Sequence, residues 1–207
     1  MHQRKWKEGF MTMVDKLQAD PRIRVTQAVF NPPAPLEDME FAKEQCHGVL
    51  PEGCQSFYEA MNGLTIEWHM NEPNPISNDR GTIRILPIRQ VFGSWQGATW
   101  FPEPRPDTKY QAVKPFDHFV TEACAAFKVR PQKPAESTVY FHYFGEASVN
   151  TRYSFTEYLE RLLVSRGYWY WIQALSRETA DNPEAKAFRQ GASRLFDDYE
   201  DTWFVPK

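Results

Sequence analysis

Phe57-Tyr58-Glu59-Ala60-Met61-Asn62-Gly63-Leu64-Thr65-Ile66-Glu67-Trp68 encodes a helix, its stop and a strand in one dozen residues. Cys54, Phe57, Tyr58 and Met61 recur at the i, i+3, i+4, i+7 spacing of one helix face. Beyond Asn62-Gly63 the period changes. Leu64, Ile66, Trp68 and Met70 alternate with Thr65, Glu67 and His69, as a half-buried strand does. Gly63 suits the left-handed position that ends a helix, and Asn62 is expected to finish the last turn. Nothing in this element is a catalytic constellation, so the residues by themselves define an α+β globular domain.

Composition narrows the class without naming an activity. A chain of 207 residues fits one domain with a substantial core, and no linker or internal repeat divides it. Aromatics make up 15% of the residues, which predicts a core or grooves built on large rings. A net charge of −3 offers no general attraction to phosphate backbones, so no nucleic-acid partner is expected. The odd count of three cysteines argues against a secreted disulfide scaffold and for a reducing, cytoplasmic setting. No signal-peptide apolar region follows Arg4 and Lys5, and no uncharged run has membrane-spanning length; no membrane association is expected.

Around the opening element, the periodicity predicts a packing helix over 5–19, carrying Trp6, Phe10, Met13, Val14 and Leu17 on one face. An extended segment is expected over 23–30 and a short acidic helix over 36–45. A second strand over 82–86 should pair with 64–70 as a hairpin. Segment 93–107, with Trp95, Trp100, Phe101 and Arg105 among its prolines, reads as a long surface loop. Residues 114–120 read as a short strand, 121–127 as helix-like, and 137–144 as a strand apolar on both faces and hence central. Ser154-Phe155-Thr156-Glu157 is a capping box that starts a helix, and Gly167 is placed to end it. Tyr168 to Ile172 reads as a new helix or a packed turn, and Asn182-Pro183 starts the last helix.

Candidate chemistry is thin. Cys46, His47, Cys54 and His69 lack the tight paired spacing of a zinc site, so no metal or other cofactor is expected. Cys124 carries no nucleophile signature and reads as a buried structural thiol. The acids Asp197, Asp198, Glu200 and Asp201 read as a solvated or partner-facing patch rather than an acid/base pair. Tyr168-Trp169-Tyr170-Trp171 has no basic stripe beside it and reads as core or groove instead of a base-stacking platform. Asp117 and His118, adjacent on a strand, should point to opposite faces and so cooperate poorly.

In order along the chain, Leu50-Pro51, Phe57-Tyr58-x-x-x-Asn62-Gly63-x-x-Ile66-x-Trp68, Gly81-x-Ile83-x-Ile85-Leu86-Pro87, Lys114-Pro115-Phe116-Asp117 and Ser154-Phe155-x-x-Tyr158-Leu159-x-x-Leu162-Leu163-x-x-x-Gly167 resemble the SUKH superfamily. The branch is the one named after the fungal cell-wall-assembly regulator. The resemblance spans roughly residues 45–170, flanked by an N-terminal helix and a C-terminal helical extension. It implies one α+β domain over 1–207, with a central, largely antiparallel sheet packed by helices and no catalytic apparatus. Bacterial relatives are typically immunity proteins that neutralise a toxin, often a nuclease or deaminase, while fungal relatives are interaction scaffolds. Asn62, Gly63, Gly81, Ser154, Glu157 and Gly167 are then structural, with Gly81 at a turn.

The expected function is therefore non-catalytic protein binding, with a toxin domain as partner and a housekeeping scaffold as the alternative. An enzyme working through an aromatic cleft is the third reading. Exposed aromatics and arginine favour interface centres, which points to Trp68, Trp95, Trp100, Phe101 and Arg105. The acids Asp197, Asp198, Glu200 and Asp201 would steer a basic partner.

Overall fold

The computed structural model describes residues 3–71, 79–95, 112–130 and 132–207. Its strands are β1 (Ile23–Phe30), β2 (Leu64–Met70), β3 (Arg80–Ile85), β4 (Val113–Val120), β5 (Ala123–Lys128), β6 (Thr138–Tyr143) and β7 (Val149–Ser154). They form one sheet in chain order with every neighbouring pair antiparallel. The helices are α1 (Gln3–Ala19), α2 (Leu36–Gln45), α3 (Cys54–Ala60), α4 (Ile88–Val91), α5 (Phe155–Ser165) and α6 (Pro183–Leu195), with short 3₁₀ turns at Trp171–Leu175 and Asp201–Phe204. The chain is an α+β domain with an antiparallel sheet packed by helices. Among the described residues no helix is long and apolar enough to cross a membrane.

β2 and β3 form the expected hairpin. Their core-facing residues meet as Leu64 with Ile85, Ile66 with Ile83, and Trp68 with Gly81. α1 packs on β1, α3 and α5, while α5 also lies against β6 and β7. The core they enclose is rich in rings. Phe116 sits at its centre, with ring centroids 4.4 Å from Phe127, 5.0 Å from Phe155 and 5.1 Å from Tyr158. Each such pair adds about 0.5–1.5 kcal/mol beyond simple burial, so the aromatic content expresses itself mainly inside the molecule.

The opening element departs from expectation in detail. α3 ends at Ala60, and Met61 is already extended at φ −159°. Asn62 therefore lies beyond the helix, where it joins segments instead of finishing a turn. Its side-chain oxygen accepts from the Ile88 amide at 2.8 Å, and its own amide donates to the Pro32 carbonyl at 2.7 Å. Gly63 is left-handed as expected, at φ 86°, and a Cβ there would overlap the Ile85 carbonyl oxygen. The glycine is thus needed for the close approach of two strands.

Two further expectations are corrected and a third is extended. The stretch 121–127 is not helical: Ala123–Lys128 is a strand bonded to β4 on one side and β6 on the other. The helix preference of alanine, under about 1 kcal/mol per residue, yields to sheet pairing on both edges. Ala125 lies between Asp117 and Phe141 on the neighbouring strands, a small residue beside larger ones. Gly81 is not at a turn but inside β3, where a Cβ would overlap the Trp68 indole. The left-handed stop after α5 uses Arg166 at φ 54° as well as Gly167 at φ 65°. The capping box is present as expected, with Ser154 Oγ accepting from the Glu157 amide and a Glu157 carboxylate oxygen accepting from the Ser154 amide.

Candidate interaction surface

The residues expected to bind a partner do not share one place. Trp68 belongs to the core: it is 2% exposed, and its ring packs on Tyr168 and Phe196. β2 alternates with Leu64, Ile66 and Trp68 all inward, so the strand that displays the pattern also hides the indole. Trp95 is half-buried and donates from Nε1 to the Val91 carbonyl at 3.0 Å. Trp100, Phe101 and Arg105 lie outside the described residues. Asp197, Asp198, Glu200 and Asp201 are all exposed, on the segment that follows α6.

That segment borders a cleft of about 250 Å³ between the end of α1, the start of β1 and the turn after α5. Charge is organised around it. Asp198 bridges Lys16 at 2.9 Å and Arg166 at 2.5 Å, while Arg22 pairs with Asp20 at 2.7 Å and donates to the Leu195 carbonyl at 2.8 Å. The Arg166 guanidinium also lies 4.0 Å from the Phe196 ring. Burial opposes the charge on Asp198, but hydrogen bonds from Lys16 and Arg166 outweigh it and hold the carboxyl down at about 2. The Arg22 hydrogen bond likewise lowers Asp20.

Beyond the cleft the chain is pinned as a strap. Phe204 is fully buried, with Phe188 at 4.8 Å, Tyr199 at 5.5 Å and Trp171 at 6.1 Å. Its carbonyl accepts from Arg189, which also pairs with Asp201, and the Val205 carbonyl accepts from the Tyr153 hydroxyl. With Phe204 turned inward, Trp203 is left 38% exposed and Val205 56% exposed. Among the described residues no ion pair reaches Asp197 or Glu200. Neither exposed apolar residue was expected. The adjacent pair Trp203-Phe204 behind a run of acids was the available signal.

The groups weighed for chemistry are placed apart. Asp117 is fully buried and accepts from the Tyr158 hydroxyl at 2.8 Å, whereas His118 stacks on Phe144 at 5.9 Å. Cys46 and Cys54 are buried and free, and burial pushes the Cys46 thiol up to about 12. Among the described residues no three His, Cys, Asp or Glu side chains cluster as metal ligands. Tyr168, Tyr170 and Trp171 are buried, so the suspected stacking platform is largely core. A network that sequence reasoning missed joins the buried Asp79 to the Tyr168 hydroxyl and to the half-exposed Arg194, tying α6 to the start of β3. No family model matches the chain, and no curated protein matches it either.

Proposed function

We propose that the chain is a non-catalytic protein-binding domain that docks a basic protein partner on the strap of residues 197–205. The observation that carries this reading is the anchored Phe204. It holds Trp203 and Val205 outward on a fixed backbone, on the same segment as the exposed Asp197 and Glu200, which form no ion pair among the described residues. A preordered segment loses little freedom on binding, and an exposed tryptophan on an acidic segment supplies both an anchor and long-range attraction. The SUKH-type residue order supports a more specific form of the proposal, a cytoplasmic immunity protein that neutralises a nuclease or deaminase toxin by occlusion.

The test is calorimetry with the purified toxin domain encoded beside this gene, at low and at high salt. The expected result is a complex that weakens with salt and weakens further in Trp203→Ala and in the pair Asp197→Asn with Glu200→Gln. If no complex forms, the immunity reading falls. A complex indifferent to all three substitutions places the binding surface elsewhere.

A further inference from the structure

The edge of β3 that faces away from β2, continued to Leu86, sends three alternate amides to two backbone carbonyls and one side-chain carboxyl. Thr82 N–H donates to the Gly167 carbonyl at 2.9 Å, and Leu86 N–H to the Phe116 carbonyl at 2.8 Å. Between them, Arg84 N–H donates at 2.8 Å to a side-chain oxygen of Asp117. β3 and β4 share a single register pair, Ile85 with Asp117, and β4 is irregular between Pro115 and Asp117. The sheet is therefore two half-sheets, β1–β3 and β4–β7. At the seam a carboxyl group fills the gap where β4 has diverged and the turn after α5 has not yet arrived.

We propose that Asp117 makes this seam a pH-dependent joint, in which the protonated carboxyl clamps the half-sheets together and the ionised carboxylate lets them part more readily. The chemistry of the site gives the direction. A carboxylate offers about four acceptor positions, and Asp117, fully buried, receives two donors, Arg84 N–H and the Tyr158 hydroxyl. Protonated, it gives up the strength of the charge-assisted bonds from Arg84 and Tyr158, but the buried charge is gone and that gain is the larger. Burial pushes its pKa up to about 6, against the opposing hydrogen bonds from Arg84 and Tyr158. A seam that opens to water returns the carboxyl to its usual range, so ionisation favours the open form.

The groups facing Asp117 are Arg84 from β3, Tyr158 from α5, Cys124 from β5 and Tyr58 from α3. Burial holds Tyr158, Cys124 and Tyr58 protonated, and the Arg84 guanidinium is paired with Glu67 at 2.9 Å. His118 is the competing titrating group. Burial lowers its pKa, and its ring lies against Phe144, which packs with Cys124 and Ala126 in a small cluster separate from the main core. Gly167 at one end of the seam follows Arg166, the residue that holds Asp198, so opening would reach the cleft through one peptide bond.

The experiment is NMR hydrogen exchange at the Arg84 and Leu86 amides from about pH 4.5 to about pH 7.5, corrected for the intrinsic rate. Protection should fall at least about tenfold as pH rises through this range, given a shift of roughly two pKa units. Asp117→Asn should abolish the dependence, and His118→Gln should keep it. Protection that does not vary with pH overturns the proposal, as does dependence retained in Asp117→Asn or lost in His118→Gln. Should Asp117→Asn fail to fold, Tyr158→Phe decides: without the hydroxyl donor the midpoint must move to higher pH, and an unmoved midpoint overturns the proposal.

Discussion

The Trp68 indole donates to the carbonyl of Arg166 at 2.7 Å, a bond between residues 98 apart in sequence. It ties β2 to the left-handed turn after α5. The side chain of that same Arg166 reaches out to Asp198, so one residue is fixed from beneath by Trp68 and from above by the acidic segment. Trp68 therefore supports the cleft without touching solvent.

Trp68→Phe should destabilise the fold by about 1–3 kcal/mol, because it leaves the Arg166 carbonyl buried without its donor. Urea denaturation measures this directly. Gly81→Ala should cost a similar amount, about 1–3 kcal/mol, since a Cβ there would overlap the indole and lie 2.8 Å from the Arg166 oxygen. The two changes should not add. Removing the indole nitrogen frees part of the space that the new methyl needs, so the double variant should be more stable than the sum of the single losses.

Local signals were legible in the sequence, and long-range ones were not. The capping box at Ser154 and the alternation of β2 depend on residues a few positions apart, and both were read correctly in kind. β5 was missed because Ala123-Cys124-Ala125-Ala126 has no strand periodicity of its own; its state is decided by β4 and β6 on its two edges. β7 was missed because Val149-Asn150-Thr151-Arg152 shows little apolar alternation. The acidic segment was visible as charge. Its partners were not: Lys16 lies 182 residues from Asp198 and Arg166 lies 32 away.

Acid should weaken this segment. The folded pKa of Asp198, at about 2, is below the usual 3.8, so the native state holds fewer protons there than the unfolded chain. The stability that its bonds contribute is present above 3.8 and is lost as pH falls from there to about 2. Asp198→Asn should remove this part of the acid sensitivity while leaving any dependence near pH 6 unchanged. The effect should be small, because the carboxylate is half-exposed and salt screens it. Thermal unfolding of both proteins across the acid range, at low and at high salt, checks it.

The neighbours Trp203 and Phe204 should respond in opposite ways. Phe204 is fully buried among Trp171, Phe188 and Tyr199, so Phe204→Ala should cost about 3–5 kcal/mol of stability. Trp203 is 38% exposed, with its ring centroid 5.6 Å from the Arg161 guanidinium. Trp203→Ala should therefore cost no more than about 1 kcal/mol in unfolding. Against the partner the order reverses: Trp203→Ala should raise Kd about 30-fold, as loss of an interface anchor does. Phe204→Tyr, if it folds, should bind almost normally. Measuring unfolding and binding on the same variants separates a residue that holds the strap from one that the strap presents, and a Trp203→Ala protein with unchanged Kd would remove Trp203 from the interface.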